Sequence, residues 1–342
     1  MTNENEEISL RDEALDSLRA AYNHNLKNFP ERKFTRSVYR LVASELNLLY
    51  KSDKIEELFD GWKNAISEIE TVNAEDKTMV TTEDVMAKDE DTFPLLTQKK
   101  VTGTYKILVI PDVHVPYQCK KAVEAAIRLG EEFKPDEVVQ LGDLLDCYSL
   151  SHYPKTTHRS SNFADEIEES IKLLETIKKR TGAKYATMLE GNHEARLRKY
   201  LLNDASSLKN LKALKMNNLL ELASIGWDFI PEHKFYAVNN VFFTHGEFIS
   251  SQSSKKHMDE YRETIIHGHT HRISSRYHRG LNSTIEGWEM GCLASLEVGA
   301  EYVKRANWQH GVGTVVINGD DYWINCHHIR NGKVEYNGLV LP

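Results

Sequence analysis

The sequence predicts an α/β domain built on a largely parallel sheet, preceded by a small all-helical region. Two observations predict the sheet: short apolar runs end in polar or glycine turns, and amphipathic segments of helical periodicity lie between them. A third observation separates the helical region, because such runs begin only after Lys100. With 342 residues, 40% of them hydrophobic, the chain is long enough for one large domain and a small one.

The first hundred residues divide into helices and a linker. Apolar residues recur at helical spacing between residues 8 and 70, so we predict a helical domain over residues 1–70. Residues 71–100 lose this periodicity and are rich in acidic residues, which predicts a linker. The larger domain is therefore expected to span residues 101–342.

Five apolar runs in the larger domain are predicted as buried strands. They are KILVIPD (106–112), EVVQLGD (137–143), YATMLEGNH (185–193), VFFTHGE (241–247) and TIIHGHTH (264–271). The segments KKAVEAAIRLGEEF and FADEIEESIKLLETIKKR separate the first three runs and have helical periodicity, which indicates right-handed β-α-β units. Near the C-terminus, alternating residues with turns at Asn318-Gly319 and Asn331-Gly332 predict hairpins.

Composition argues against several classes of protein. No stretch approaches the roughly 18 to 20 apolar residues that a membrane span needs, and the polar N-terminus is unlike a secretion signal, so we expect a cytoplasmic protein. The four cysteines are too scattered for a disulfide framework or a CxxC zinc site. Residues 1–100 carry seven of the eight net negative charges. The larger domain is thus nearly neutral, and any binding of polyanions would depend on local basic clusters or on metal ions.

A potential metal ligand follows each of the five predicted strands. In α/β sheets, ligands collect beyond the carboxyl ends of the strands, so residues about 160 positions apart can converge there. A single histidine near a strand end is more often a hydrogen-bonded core or surface residue, but five strand ends in this order call for a shared explanation. Carboxylate, imidazole and amide groups without a thiolate suit two borderline-hard divalent ions. The residues are Asp112, His114, Asp143, Asn192, His193, His245, His269 and His271.

The order Asp-x-His, Gly-Asp-x-x-Asp, Gly-Asn-His-Glu, His-Gly and Gly-His-x-His resembles the calcineurin-like metallophosphoesterase superfamily over about residues 105–330. The resemblance implies two packed mixed β-sheets flanked by helices. It also implies two divalent ions, with Mn²⁺ expected and Fe, Zn, Ni, Co or Mg as alternatives. In the implied ligand set Asp143 bridges the two ions, the first ion is held by Asp112, His114 and His271, and the second is held by Asn192, His245 and His269.

The resemblance further implies hydrolysis of a phosphate ester by a metal-bridging hydroxide. His193 would protonate the leaving oxygen, and Asp146 resembles its orienting carboxylate, with a helix-start cap as the alternative for Asp146. The sequence departs from phosphoprotein phosphatases at Cys147, where those proteins carry an arginine that grips the phosphate. For Arg196 and Arg198, a solvent-exposed helix charge is the alternative. The candidates for the role of that arginine are Arg196, Arg198, His152, His158 and Arg159.

The N-terminal region bears on the substrate. The segment with Tyr39, Arg40, Phe59, Gly61 and Trp62 is loosely similar to helical DNA-binding repeats of bacteriophage and homing-nuclease proteins. We therefore expect a phosphodiesterase or nuclease of phage or bacterial origin that acts on DNA. The alternative is a phosphomonoesterase for a nucleotide, phosphoprotein or other small ester, with the N-terminal helices used for oligomerisation. A catalytically silent binding module is disfavoured because every metal and acid position is retained. The oligomeric state stays open.

Overall fold

A computed structural model describes residues 95–151, 162–281, 284–297 and 306–342, all within the unit Asp89–Pro342. The predicted helical domain over residues 1–70, including its DNA-binding resemblance, lies outside the described residues. Most of the predicted linker does too. Its last residues contain a strand, Leu96–Lys99.

The described residues contain fourteen strands and five α-helices, which are numbered here in chain order. The strands are β1 (Leu96–Lys99), β2 (Thr104–Ile110), β3 (Glu137–Gln140), β4 (Tyr185–Leu189), β5 (Asp228–Ile230), β6 (Phe235–Val238), β7 (Val241–Thr244), β8 (Thr264–His267), β9 (Ile273–Arg279), β10 (Thr284–Met290), β11 (Gly311–Asn318), β12 (Asp321–Arg330), β13 (Lys333–Tyr336) and β14 (Leu339–Leu341). The helices are α1 (Lys120–Phe133), α2 (Phe163–Thr181), α3 (Ala195–Asn203), α4 (Met216–Leu219) and α5 (Ser253–Tyr261).

The strands form two mixed sheets. The larger has the order β14-β13-β12-β11-β2-β3-β4-β5, in which β2 to β5 run parallel and β11 to β14 form antiparallel pairs. The smaller has the order β1-β6-β7-β8-β10-β9. The fold is therefore the predicted pair of mixed sheets with flanking helices.

Both faces of the larger sheet are buried at its central strand β2, as the sequence of that strand requires. Successive side chains of a strand point to opposite faces. Ile107 and Val109 pack between the two sheets with residues such as Phe243, whereas Leu108 and Ile110 pack under α1 and α2. A strand buried on both faces needs a continuous apolar run, which explains why KILVI has no polar alternation after its lysine.

The predicted elements fall where the patterns put them. Helix α1 matches KKAVEAAIRLGEEF. Helix α2 is capped at its C-terminus by Gly182, whose φ of 70° is the left-handed conformation of such a cap. The two Asn-Gly turns join β11 to β12 and β12 to β13, so the predicted hairpins are confirmed. Strands β1, β5, β6, β9 and β10 were not predicted. None of the helices in the described ranges combines the length and apolar character needed to span a lipid bilayer.

Candidate metal centre

The site lies where strands of both sheets end. Five strands contribute, namely β2, β3 and β4 of the larger sheet and β7 and β8 of the smaller one. Each predicted ligand follows the carboxyl end of one of them. In chain order these ligands are Asp112 and His114 after β2, Asp143 after β3, Asn192 after β4, His245 after β7, and His269 and His271 after β8.

A first group of ligand atoms belongs to four buried residues, Asp112, His114, Asp143 and His271. One ligand atom from each lies within 4.8 Å of the others. The Nε2 atoms of His114 and His271 are 3.1 Å apart. His271 Nε2 lies 3.3 Å from Asp112 Oδ1, and His114 Nε2 lies 3.7 Å from Asp143 Oδ2. This group can hold one metal ion.

A second group adjoins the first through Asp143. It comprises Asp143, His245 and His269, whose ligand atoms also lie within 4.8 Å of one another. His245 Nε2 is 3.3 Å from Asp143 Oδ2, 3.2 Å from His269 Nδ1 and 2.9 Å from Asn192 Oδ1. Because Asp143 belongs to both groups, its carboxylate is placed to serve two ions at once.

The chemistry of the first group fits a divalent cation. His114 Nδ1 faces the Asp146 carboxylate at 3.2 Å, so the ring's proton belongs on Nδ1 and a lone pair remains on Nε2. That lone pair points at another ring nitrogen, in His271. Asp112 Oδ2 and His271 Nδ1 have no hydrogen-bond partner among the described residues. Buried acceptors without a donor are costly, and a bound cation satisfies them.

Four of these ligands have a backbone conformation that is rare for residues other than glycine. The φ angles of His114, Asp143, His269 and His271 are 56°, 51°, 67° and 58°. The left-handed conformation costs roughly 1 to 2 kcal/mol per residue and persists only where the surrounding structure enforces it. Such residues cluster at functional sites, so the backbone supports the same location as the side chains.

Two glycines let the loops approach closely. A Cβ atom added to Gly191 would collide with the backbone nitrogen and carboxylate of Asp143, and one added to Gly268 would collide with the carboxylate of Asp112. Neither position has room for a side chain. The glycines therefore allow the loops after β4 and β8 to pack directly against the predicted ligands.

His193 lies beside the first group, and Asp146, predicted to orient it, is closer to it through its backbone carbonyl than through its carboxylate. His193 Nδ1 is 2.8 Å from the backbone carbonyl oxygen of Asp146, to which it can donate a hydrogen bond. It is 3.9 Å from Oδ2 of the Asp146 carboxylate. The same Oδ2 lies closer to His114 Nδ1, at 3.2 Å. Asp146 is fully buried beside both rings, and its carboxylate lies nearer the ring of His114.

Arg196 contacts the same region from the first turn of α3. It donates from Nη1 to the Asp146 carbonyl oxygen at 2.8 Å, and its Nη2 lies 3.0 Å from His193 Nε2. The guanidinium is thus partly buried against the candidate acid and is not a freely solvated helix charge. It can reach an anion that approaches His193.

The other predicted phosphate-binding residues are not brought to the site by the described structure. Arg198 is half exposed and pairs with Glu232 and, at 3.9 Å, with Glu190. Cys147 is fully buried, and its backbone nitrogen donates to Glu166 Oε2 at 2.9 Å. The predictions for His152, His158 and Arg159 lie outside the described residues.

Burial and charge set the pKa values of these histidines apart. Burial lowers the pKa of His193 to about 3 and that of His269 to about 4. Burial acts in the same sense on His245, but the negative charge of Asp143 outweighs it and raises the pKa of His245 to about 10. Burial alone would raise the pKa of Asp143, yet the neighbouring histidines, His193 first, hold it well below its usual value. At neutral pH His193 and His269 are neutral, the form of imidazole that accepts a proton or binds a metal.

Two residues of the site had no assigned role in the sequence analysis. Glu194, the last residue of Gly-Asn-His-Glu, is fully buried and accepts hydrogen bonds from three backbone N–H groups. The Trp308 ring stands edge-on to His271, with the ring centroids 4.0 Å apart. The motif itself could have indicated Glu194. The position of Trp308 had no signal in the sequence, because 37 residues separate it from the histidine it contacts.

Comparison with known families gives one match that covers the site. The family model described as "Calcineurin-like phosphoesterase" matches residues 105–280. That span contains all seven predicted ligands as well as His193, Asp146 and Arg196.

Curated relatives and solved structures extend the comparison. The Gene 54 proteins of Mycobacterium phages L5 and D29 are 29% and 30% identical to this chain, each over 69% of this chain and 98% of the phage protein. Vacuolar Protein Sorting 29 from Cryptosporidium parvum is similar with a TM-score of 0.40 and 14% identity, over 70% of this chain and 96% of that one. YfcE, a phosphoesterase from E. coli, has a TM-score of 0.34 and 15% identity, over 66% of this chain and 100% of its own.

Proposed function

We propose, from the premise that this chain belongs to the calcineurin-like phosphoesterase family, that it is a metal-dependent phosphodiesterase acting on DNA. The family and the clusters of histidine and aspartate support metal-dependent hydrolysis of phosphate esters. The observation that carries the proposal is the pair of ligand groups joined by the buried Asp143. The preference for a diester over a monoester, and for DNA as the substrate, is the part of the proposal that goes beyond the family.

The ligand groups suit two divalent ions. Asp112, His114 and His271 would hold one, Asn192, His245 and His269 would hold the other, and Asp143 would serve both. Oxygen and imidazole ligands without thiolate are compatible with Mn²⁺, and we propose it as the metal. When bound, such ions lower the pKa of water and stabilise the charge that develops on the phosphate.

His193 and Arg196 supply the groups that handle the substrate's proton and charge. His193 donates from Nδ1 to the Asp146 carbonyl, which fixes the tautomer and leaves Nε2 facing Arg196. The negative charge of a bound phosphate raises the affinity of His193 for a proton, which Nε2 can then pass to the leaving oxygen. The fork of Arg196 is suited to the non-bridging phosphate oxygens.

The supply of positive charge supports a diester. A phosphomonoester carries roughly 1.5 to 2 negative charges at neutral pH, whereas a diester carries one. Cys147 stands where phosphoprotein phosphatases have their phosphate-gripping arginine. Of the candidate replacements that the structure describes, Arg196 contacts the site and Arg198 pairs with Glu232. One guanidinium matches the single charge of a diester.

The choice of DNA rests on the helical region and on the relatives. The predicted helical domain resembles DNA-binding repeats, and the two relatives at about 30% identity are phage proteins. We propose that residues 1–70 help to hold DNA. Deleting them is expected to weaken DNA association without abolishing hydrolysis of a small ester. Unchanged DNA affinity of the truncated protein, measured by fluorescence anisotropy, would assign that region another task.

A phosphomonoesterase is the competing candidate, because Gly-Asn-His-Glu at residues 191–194 is also found in phosphoprotein phosphatases. The deciding experiment compares bis-p-nitrophenyl phosphate with p-nitrophenyl phosphate in Mn²⁺, and then tests supercoiled and single-stranded DNA. Faster turnover of the diester together with nicking of DNA supports the proposal. A strong preference for the monoester, with DNA left intact, overturns it. Asp143→Asn serves as the control for contaminating nucleases.

A further inference from the structure

One buried carboxylate joins two of the loops that carry the predicted ligands. Oε2 of Glu194 accepts hydrogen bonds from the backbone nitrogens of Asp143 and Gly191, each at 2.9 Å. Its Oε1 accepts a hydrogen bond from the nitrogen of Leu145 at 2.8 Å. The side chain is fully buried. Glu194 thus fixes the loop after β3 on both sides of Leu144 and ties it to the loop after β4.

The effect of these bonds extends to a third loop. The carbonyl oxygen of Asp143 accepts from the nitrogens of Val113 and His114 at 2.9 and 3.0 Å, which anchors the loop after β2. The Oδ1 atom of Asp143 accepts from the nitrogen of His193 at 2.9 Å. Asp143 is therefore held through its backbone and its side chain, and Glu194 accepts the hydrogen bond of its backbone nitrogen.

We propose that Glu194 is a positioning residue of the metal centre, which fixes the loops after β3 and β4 so that Asp143 and Asn192 stand in the arrangement that two ions require. This inference rests on the proposed metal-dependent function. It assigns Glu194 a task beyond that of an ordinary helix-start residue, because the Glu194 side chain makes two of its three bonds to a loop about 50 residues earlier in the chain.

A carboxylate suits this task better than its amide. The three backbone N–H groups are all donors, and a carboxylate offers only acceptors. In glutamine, the NH₂ group would have to face at least one of these N–H groups, so a buried donor would lose its partner.

The inference is tested with Glu194→Gln, using Glu137→Gln as a matched control. Glu137 is a buried glutamate of the same domain that hydrogen-bonds to side chains at the other end of β3. Mn²⁺ binding is measured by titration calorimetry, and stability by urea unfolding in the presence of a chelator. Loss of a residue that supports metal ligands typically weakens metal affinity by about 10- to 100-fold. We expect that loss in Glu194→Gln and wild-type affinity in Glu137→Gln.

A second readout, hydrogen exchange, can be made on the wild-type protein alone and then compared with the variant. Hydrogen exchange should show the amides of Asp143, Leu145 and Gly191 strongly protected in the metal-free wild-type protein, and Glu194→Gln should accelerate their exchange. Diester turnover of Glu194→Gln should approach the wild-type rate at high Mn²⁺, because the defect lies in affinity. If Glu194→Gln does not fold, unprotected amides in the wild type still overturn the inference and protected amides still support it.

The outcomes separate this inference from the proposed function. If the wild-type protein binds no Mn²⁺ and hydrolyses neither ester, the proposed function fails. If the wild-type protein binds Mn²⁺ and Glu194→Gln binds it equally well, only the role of Glu194 fails. Equal loss of affinity in Glu194→Gln and Glu137→Gln would reduce Glu194 to a stabilising residue and also overturn the inference.

Discussion

The two ends of strand β3 each carry a buried carboxylate, and the two are satisfied in opposite ways. At its beginning, Glu137 accepts hydrogen bonds from the hydroxyls of Tyr105, Thr187 and Tyr236 at 2.9, 2.9 and 2.7 Å, and Lys99 Nζ lies 2.9 Å away. Beyond its end, Asp143 faces ring nitrogens that also face one another.

The difference separates a structural cluster from a functional one. The donors around Glu137 come from strands of both sheets, so this carboxylate joins the sheets and its hydrogen bonds are complete. Around Asp143, potential ligand atoms of several residues converge and four ligands adopt left-handed backbone conformations. Burial alone does not identify an active site. A buried polar cluster whose own groups leave acceptors unmatched does, because it is complete only with a ligand.

The sharpest test of this contrast is Asp143→Asn. Neutralising the shared ligand should remove at least one ion and lower diester turnover by about 10⁴-fold, since metal ions supply several kcal/mol of transition-state stabilisation. Stability in chelator should fall, because the amide loses the favourable interaction of the Asp143 carboxylate with the surrounding histidines. Turnover is measured with bis-p-nitrophenyl phosphate, and metal content by elemental analysis. A variant that keeps both ions and full turnover would break the assignment of Asp143.

His193→Ala distinguishes the ligands from the acid beside them. The imidazole contacts the Asp146 carbonyl and Arg196 and is not one of the proposed ligands. We expect metal content to stay intact and turnover to fall by about 10²- to 10⁴-fold, the usual contribution of a general acid. A diester with a leaving group that needs no proton, such as p-nitrophenolate, should be affected less than DNA. Loss of metal from His193→Ala would show that the residue has been misassigned.

Arg196→Met should weaken substrate binding more than it slows the chemical step. Removing a guanidinium that binds a phosphate oxygen loses a charge-assisted hydrogen bond of about 1.5 to 3 kcal/mol, equivalent to roughly a 10- to 100-fold change. We expect most of this change in KM for the diester. Arg198→Met is the matched control on the same helix, because Arg198 pairs with Glu232 on the surface. Equal effects of the two substitutions would contradict the role of Arg196.

The sequence was more informative about the end of β3 with incomplete hydrogen bonding than about the end where it is complete. The predicted ligands stand in short motifs at the ends of apolar runs, so the sequence alone was enough to single out Asp112 and Asp143 as candidate metal ligands. The existence of two sheets was predicted only from the family resemblance, and the division of the five strands between them was not predicted. The Glu137 cluster escaped prediction because its partner Tyr236 lies 99 residues away and nothing in the sequence marks the pair. For a similar reason the sequence did not show that the carboxylate of Asp146 lies nearer to His114 than to His193, because sequence order does not determine which of two neighbouring rings is closer.

Glu137→Gln should affect stability and leave the chemistry unchanged. The amide loses the charge that faces Lys99 and turns a donor toward hydroxyls that now donate, so we expect unfolding free energy to fall by about 1 to 3 kcal/mol. The hydroxyls can rotate to accept, which limits the loss. Because Glu137 and Asp143 lie at opposite ends of the strand, kcat and KM per folded molecule should equal those of the wild type. Urea unfolding and diester kinetics, measured on the same preparation, check both halves. A fall in kcat at unchanged metal content would show that the two clusters are coupled through β3, and the separation of a structural end from a functional end would no longer hold.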